Sequence, residues 1–135
     1  MEVGALEAVL AALQDWPQVV GVQEYGCAAL CNLCICTDAA GVACKQRAVD
    51  LGGFEAVVGA MHAHLQVASM QEHGCAALCN LCNGTTAVVL ARKQRAVVAG
   101  GREAAAAAMQ AHPGNAEVQR LGQQVINTLL PVLHQ

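Results

Sequence analysis

Apolar residues at i, i+3, i+4 and i+7 mark one face of a helix at Leu6, Val9, Leu10 and Leu13, and again at Phe54, Val57, Val58 and Met61. Trp16-Pro17 and His112-Pro113 predict where such a helix stops, because the residue before a proline is pushed out of the α region. A second helix is predicted from about Val19 to Cys34, with its counterpart from about Val67 to Cys82. A short third helix carries Lys45 to Asp50, and again Lys93 to Val98. The pairs Gly52-Gly53 and Gly100-Gly101 then predict a tight C-terminal cap with the next helix starting at once.

These elements recur on one register. Val22 to Cys34 reads VQEYGCAALCNLC and returns at Met70 to Cys82 as MQEHGCAALCNLC, with eleven of thirteen positions identical at an offset of 48. Lys45-Gln-Arg-Ala-Val49 returns as Lys93-Gln-Arg-Ala-Val97 at the same offset. Gly4, Gly52 and Gly100 keep that spacing, as do Glu7-Ala8, Glu55-Ala56 and Glu103-Ala104. A third, eroded copy continues through Val118-Gln119, Gly122 and Leu129. Fixed-period self-similarity of this kind is the signature of a repeat array. The copies divide as about 4–51, 52–99 and a degenerate 100–135, within one domain spanning 1–135.

Three helices per copy, one short and ending in glycine, resemble the armadillo repeat. The Gly-x-x-Glu-Ala-Val-Val helix, the Val-Gln-Glu-x-Gly-Cys-Ala-Ala-Leu-Cys-Asn-Leu helix and the Lys-Gln-Arg-Ala-Val-x-x-Gly-Gly stretch match that repeat's second, third and first helices. Its most specific part is Ala-Leu-x-Asn-Leu, at Ala29 to Leu33 and Ala77 to Leu81. A HEAT array is the nearest rival, but it has two helices per unit and no glycine-linked short helix. The period is longer than is usual for armadillo repeats, with the surplus around Cys34 to Cys44 and Cys82 to Arg92. The resemblance implies an all-α, right-handed α-solenoid of about three repeats that binds other proteins.

The resemblance also implies a groove. In the armadillo family the Ala-Leu-x-Asn-Leu helix lines the concave face, and its Asn pairs with the main chain of an extended peptide. A side-chain amide suits that work because it both donates and accepts. At 100° per residue, Ala29, Leu30 and Leu33 define the expected core side. Tyr25, Ala28 and Asn32 fall opposite, with His73, Ala76 and Asn80 in the next copy and Thr128 in the third. Peptide-binding members carry Trp four residues before the Asn, where this chain has Ala28 and Ala76, so the expected groove is shallow. The alternative for Asn32 and Asn80 is structural: each would tie down a neighbouring copy's loop or helix end.

Composition adds exclusions. The chain is 56% hydrophobic, yet its only aromatics are Trp16, Tyr25 and Phe54, so the core must be built from small aliphatics and cysteine. A net charge of -3 leaves no basic excess to neutralise phosphates, so nucleic acid is not the expected partner. Asn32, Asp38, Asn80 and Asn83 interrupt the apolar runs before a membrane span is complete. No Lys or Arg precedes Lys45, which leaves no basic start to a signal peptide. A soluble, intracellular chain is the expectation.

Eight cysteines are the tempting chemistry. Cys31-x-x-Cys34-x-Cys36 has the spacing of half a zinc or iron–sulfur site. Cys27, Cys31 and Cys34, however, sit at i, i+4 and i+7, as do Cys75, Cys79 and Cys82. That is a stripe over two helical turns, and cysteine packs as a small hydrophobe at crowded helix contacts. The stripe is expected to face an adjacent copy, with no metal and no cofactor. His62, His64, His73, His112 and His134 show no pairing suited to catalysis, so no enzyme is expected. The Lys45/Arg47 and Arg92/Lys93/Arg95 clusters form a basic ridge, read as a solvated face or, less commonly, a site for an acidic partner.

The ends complete the reading. An array needs polar terminal caps to stay soluble. Here Leu6, Val9 and Leu10 start inside a unit, and Val125, Ile126, Leu129, Leu130, Val132 and Leu133 form an apolar tail with no charge after Arg120. The expected function is a protein-binding scaffold or adaptor whose partner touches a terminal repeat and the groove. A subunit fixed in a larger assembly is the alternative, and the isolated chain is expected to self-associate.

Overall fold

The computed structural model describes residues 3–34 and 38–133, the side chains of Val3 and of residues 131–133 excepted. Cys36 and His134 lie outside the described residues. Among the described residues there are eight α-helices and no strand: α1 Val3–Asp15, α2 Val20–Leu33, α3 Ala39–Asp50, α4 Gly53–Ala63, α5 Ala68–Leu81, α6 Ala87–Val98, α7 Gly101–Ala111 and α8 Ala116–Leu133. None is long and apolar enough to cross a membrane.

The third helix of the first two copies, α3 and α6, is twice the expected length. It begins at Ala39 and Ala87 rather than at the lysines, because a polar side chain caps it there: Asp38 accepts from Gly41 N at 2.9 Å and Thr86 from Val89 N at 3.3 Å. Its other end is as expected. Gly52 and Gly100 adopt φ of 90° and 93°, where a side chain would be strained, and the chain turns directly into α4 and α7.

A second device fixes the turn between the long helices. Gln23, Gln71 and Gln119 occupy one register position, and each side-chain amide donates to two carbonyls at the end of the preceding helix. Gln23 reaches Leu13 O and Trp16 O, Gln71 reaches Met61 O and His64 O, and Gln119 reaches Met109 O and His112 O, at 2.8–3.1 Å. Leu13 O, Met61 O and Met109 O have no intrahelical donor, whereas Trp16 O, His64 O and His112 O also accept from Val19 N, Val67 N and Asn115 N, so one amide ties each helix end to the turn after it. This also explains why α4 ends at Ala63, where the second copy has no proline. Beside each Gln, Gly26, Gly74 and Gly122 stand where a Cβ would run into Leu13, Met61 and Met109, so each helix pair meets closer than any larger residue allows.

Equivalent helices pack on one another. α4 contacts both α1 and α7, and α5 contacts both α2 and α8. The buried core runs through all three copies, from Leu6, Leu10 and Leu13 through Phe54, Val57 and Met61 to Ala104, Ala105 and Val125.

Candidate partner-binding surface

Comparing one register position across three copies separates the two faces of each helix. On the first helix, Ala8 is exposed and Val9 and Ala12 half-buried. Of their counterparts, Ala56 is half-buried and Val57, Ala60, Ala104, Ala105 and Ala108 are buried. On the second helix, Val22, Ala29 and Leu33 are half-buried, whereas Met70, Ala77 and Leu81 in α5 and Val118, Val125 and Leu129 in α8 are buried. The positions that change are those turned toward a preceding copy. In α1 and α2 none of the described residues covers them, and they form an apolar depression that includes Ala8, Val9, Ala12, Val22, Tyr25 and Ala29.

The expected core side of α2 holds in part: Leu30 is buried, Ala29 and Leu33 are only half-buried, and Gln23, Cys27 and Cys34 join Leu30 in the core. The cysteine stripe accordingly splits. Cys27 and Cys34 enter the core, while Cys31 stays half-buried and near enough to Cys79 to help raise its pKa.

At the boundary between copies the same atoms recur. His64 Nε2 hydrogen-bonds Pro17 O and His112 Nε2 hydrogen-bonds Leu65 O, both at 2.8 Å. The equivalent position in the first copy is Trp16, which is 59% exposed. Trp carries a single N–H donor on a large apolar body, so the uncovered end offers the same donor chemistry with more surface.

The residues singled out for the groove scatter in environment. Tyr25 is 80% exposed and Asn32 is exposed, while Ala28, His73 and Ala76 are half-buried. Asn80 Nδ2 donates to Cys31 O at 3.3 Å, tying α5 to α2. That is the structural alternative for this residue, and it leaves Asn32 alone with a solvent-facing amide. Thr128 lines a shallow, polar depression with Arg120, Gln123, Gln124 and Asn127.

The opposite end also departs from expectation. Val125 and Leu129 are buried within the chain and Ile126 and Leu130 half-buried, while the side chains of Val132 and Leu133 lie outside the described residues. Where the first two copies bury Leu6 and Phe54, the third has half-buried Arg102; where they bury Cys27 and Cys75, it has exposed Gln123. The outward face of the third copy is thus more polar than that of the others, and sequence register alone shows where.

Cysteine reactivity is held down by burial. Desolvation pushes Cys27, Cys34, Cys75 and Cys82 up to about 12, and Cys31 and Cys79 to about 11. Such thiols stay protonated at neutral pH, and the thiolate is the form that attacks or ligates. Among the described residues no three His, Cys, Asp or Glu side chains are grouped to share a metal ion. Cys34 and Cys44 approach to 3.7 Å between sulfurs, a packed thiol contact. No family model, no curated protein and no solved structure matches this chain.

Proposed function

We propose that this chain is a non-catalytic, armadillo-like helical-repeat scaffold that binds another protein through the uncovered face of its first copy. One observation carries the reading: the face built by Ala8, Val9 and Ala12 of α1 and Val22 and Ala29 of α2 is half-exposed, while its counterparts are buried against a preceding helix pair at every position but Ala56, which is half-buried. The chain itself therefore supplies two examples of what such a face packs against. In each, the first helix of one copy packs on that of the next, with large buried residues on the preceding helix: Leu6 and Leu10 on α1, Phe54 and Val58 on α4. Head-to-tail self-association is disfavoured, because Arg102 and Ala106 stand at the positions of those large residues in the third copy. The partner that fits is an amphipathic helical surface bearing large aliphatic or aromatic side chains. Asn32 and Tyr25 border the same helix and add polar and aromatic contacts.

The test is capture of a co-purifying protein by the tagged chain and by its Ala8→Glu and Tyr25→Glu variants. Both sites are exposed, so folding should be unaffected and capture should fall about tenfold or more. Capture that ignores both substitutions would overturn the assignment. The fixed-subunit reading is favoured by the same apolar face, and it predicts a complex that does not dissociate on dilution.

A further inference from the structure

We propose that the trough between α3 and α6 binds an acidic peptide segment, with a carboxylate seated between Lys45 and Arg92 and apolar neighbours on the trough walls. The proposal deepens the protein-binding reading and uses a different surface. Val42 and Lys45 of α3 face Val88, Val89 and Arg92 of α6 across the trough, and the loop Asn83–Thr86 closes one end. Arg92 and Val88 also line a second depression with Gln46, Val49 and Arg95, so the trough runs on along both helices. An elongated, open trough suits an extended chain rather than a compact small molecule.

Two largely buried cations lie in it, and neither has a counter-charge among the described residues. Lys45 is 5% exposed and Arg92 3%. Among the described residues the ion pairs are Arg47–Glu7, Arg95–Asp50 and Arg120–Glu117, and neither Lys45 nor Arg92 takes part. Arg92 donates from Nη1 to Leu81 O at 3.4 Å, and its buried Nε has no partner. A buried, unpaired charge is costly, and an incoming carboxylate relieves that cost while accepting from the guanidinium fork.

The walls set the second requirement. Val42 and Val88 are exposed large apolar residues at the rim of the charged pocket, so the ligand must cover hydrocarbon as well as neutralise charge. The site is also a local departure from the repeat. Arg92 occupies the register position held by Cys44 in the first copy, so the cation was introduced where the scaffold otherwise needs only a small buried residue. Nucleic acid fits less well, because the net charge is -3 and no aromatic side chain lines the trough to stack a base.

Isothermal titration of the whole chain with a blocked peptide of alternating Leu and Glu tests this, beside the same peptide with Gln for every Glu. We expect the Glu peptide to bind about tenfold or more tightly than the Gln peptide, and to weaken with added salt. Arg92→Met and Lys45→Met should each weaken the Glu peptide about tenfold, and Arg92→Met should raise the melting temperature of the free chain. Should a variant fail to fold, perturbation of the Val42 and Val88 methyl resonances of the unaltered chain by the Glu peptide replaces it, and their silence overturns the proposal. Equal affinity for the two peptides, no binding of either, or tighter binding of a single-stranded oligonucleotide or inorganic phosphate would also overturn it. Ala8→Glu must leave peptide binding intact. Loss of partner capture in that variant without any acidic-peptide binding sinks the trough alone, and the converse sinks the first-copy face alone.

Discussion

Gln71 reaches back ten residues to donate from Nε2 to the Met61 carbonyl at 3.0 Å, and the same nitrogen serves His64 O at 3.0 Å. Its Oε1 is buried with no partner, so the residue is held for its donor and not its acceptor. Gln71→Ala strands the Met61 carbonyl, because His64 O still accepts from Val67 N at 3.0 Å, and should cost about 1–2 kcal/mol in denaturant unfolding. Gln71→Glu should cost more at neutral pH, since a carboxylate there would face two carbonyl oxygens. Burial raises that carboxyl's pKa in the folded state, so its stability deficit should shrink as pH falls and the group regains a proton. A Glu variant as stable as the Ala variant at neutral pH would show that the donor is not what matters.

Two glycines of α4 and α5 should respond oppositely to alanine. A Cβ on Gly74 would enter the space of the Met61 side chain, whereas one on Gly59 meets nothing within 4 Å. Gly74→Ala is therefore expected to destabilise by about 1–3 kcal/mol. Gly59→Ala, exposed and mid-helix, should stabilise by about 0.5–1 kcal/mol through helix propensity. Thermal melts of the two variants side by side decide the matter.

The two asparagines of the repeat should also part company. Asn80 bonds the Cys31 carbonyl and is half-buried, so Asn80→Ala should lose about 1 kcal/mol. Asn32 is exposed, and Asn32→Ala should stay within about 0.5 kcal/mol of the parent. Equal losses would place Asn32 in a structural contact of its own.

Alkaline pH is the direction in which this fold should fail. Cys27, Cys75 and Cys82 are fully buried, and burial raises each thiol from 9.0 to about 12. Below about pH 9 both the folded and the unfolded thiols are protonated, and the term contributes nothing against folding. Between the two values the unfolded chain ionises and the folded chain does not, so stability falls as pH rises. Each of these three thiols should remove about 1 kcal/mol by pH 10, read as a lower urea midpoint than at pH 8. Replacing Cys75 with Ala should flatten that dependence, and an unchanged slope would count against the burial argument.

Helix type and most helix ends were legible because proline, glycine and apolar spacing mark them directly. The first halves of α3 and α6 were missed because Ala39 to Cys44 has no apolar period, and only the capping residue Asp38 announces that helix. The core side of α2 departs from the sequence pattern at two of its three residues for a different reason. Ala29 and Leu33 have the same identities as the buried Ala77 and Leu81, and what differs is whether a helix pair stands in front of them. Residue type reports the burial a position can tolerate, and position in the stack decides the burial it receives. The Lys45–Arg92 trough needed both: the charges were visible, but their shared burial joins two helices far apart in sequence.

The middle copy is covered on both sides by contacts that use the same register positions: the histidine-to-carbonyl bond before it recurs after it, and so does the apolar packing. A duplicate of residues 52–99 spliced in after position 99 would meet a compatible surface at each junction without further substitution. Growth of such a chain is then a matter of copying, whereas departures from the repeat such as Arg92 mark single copies.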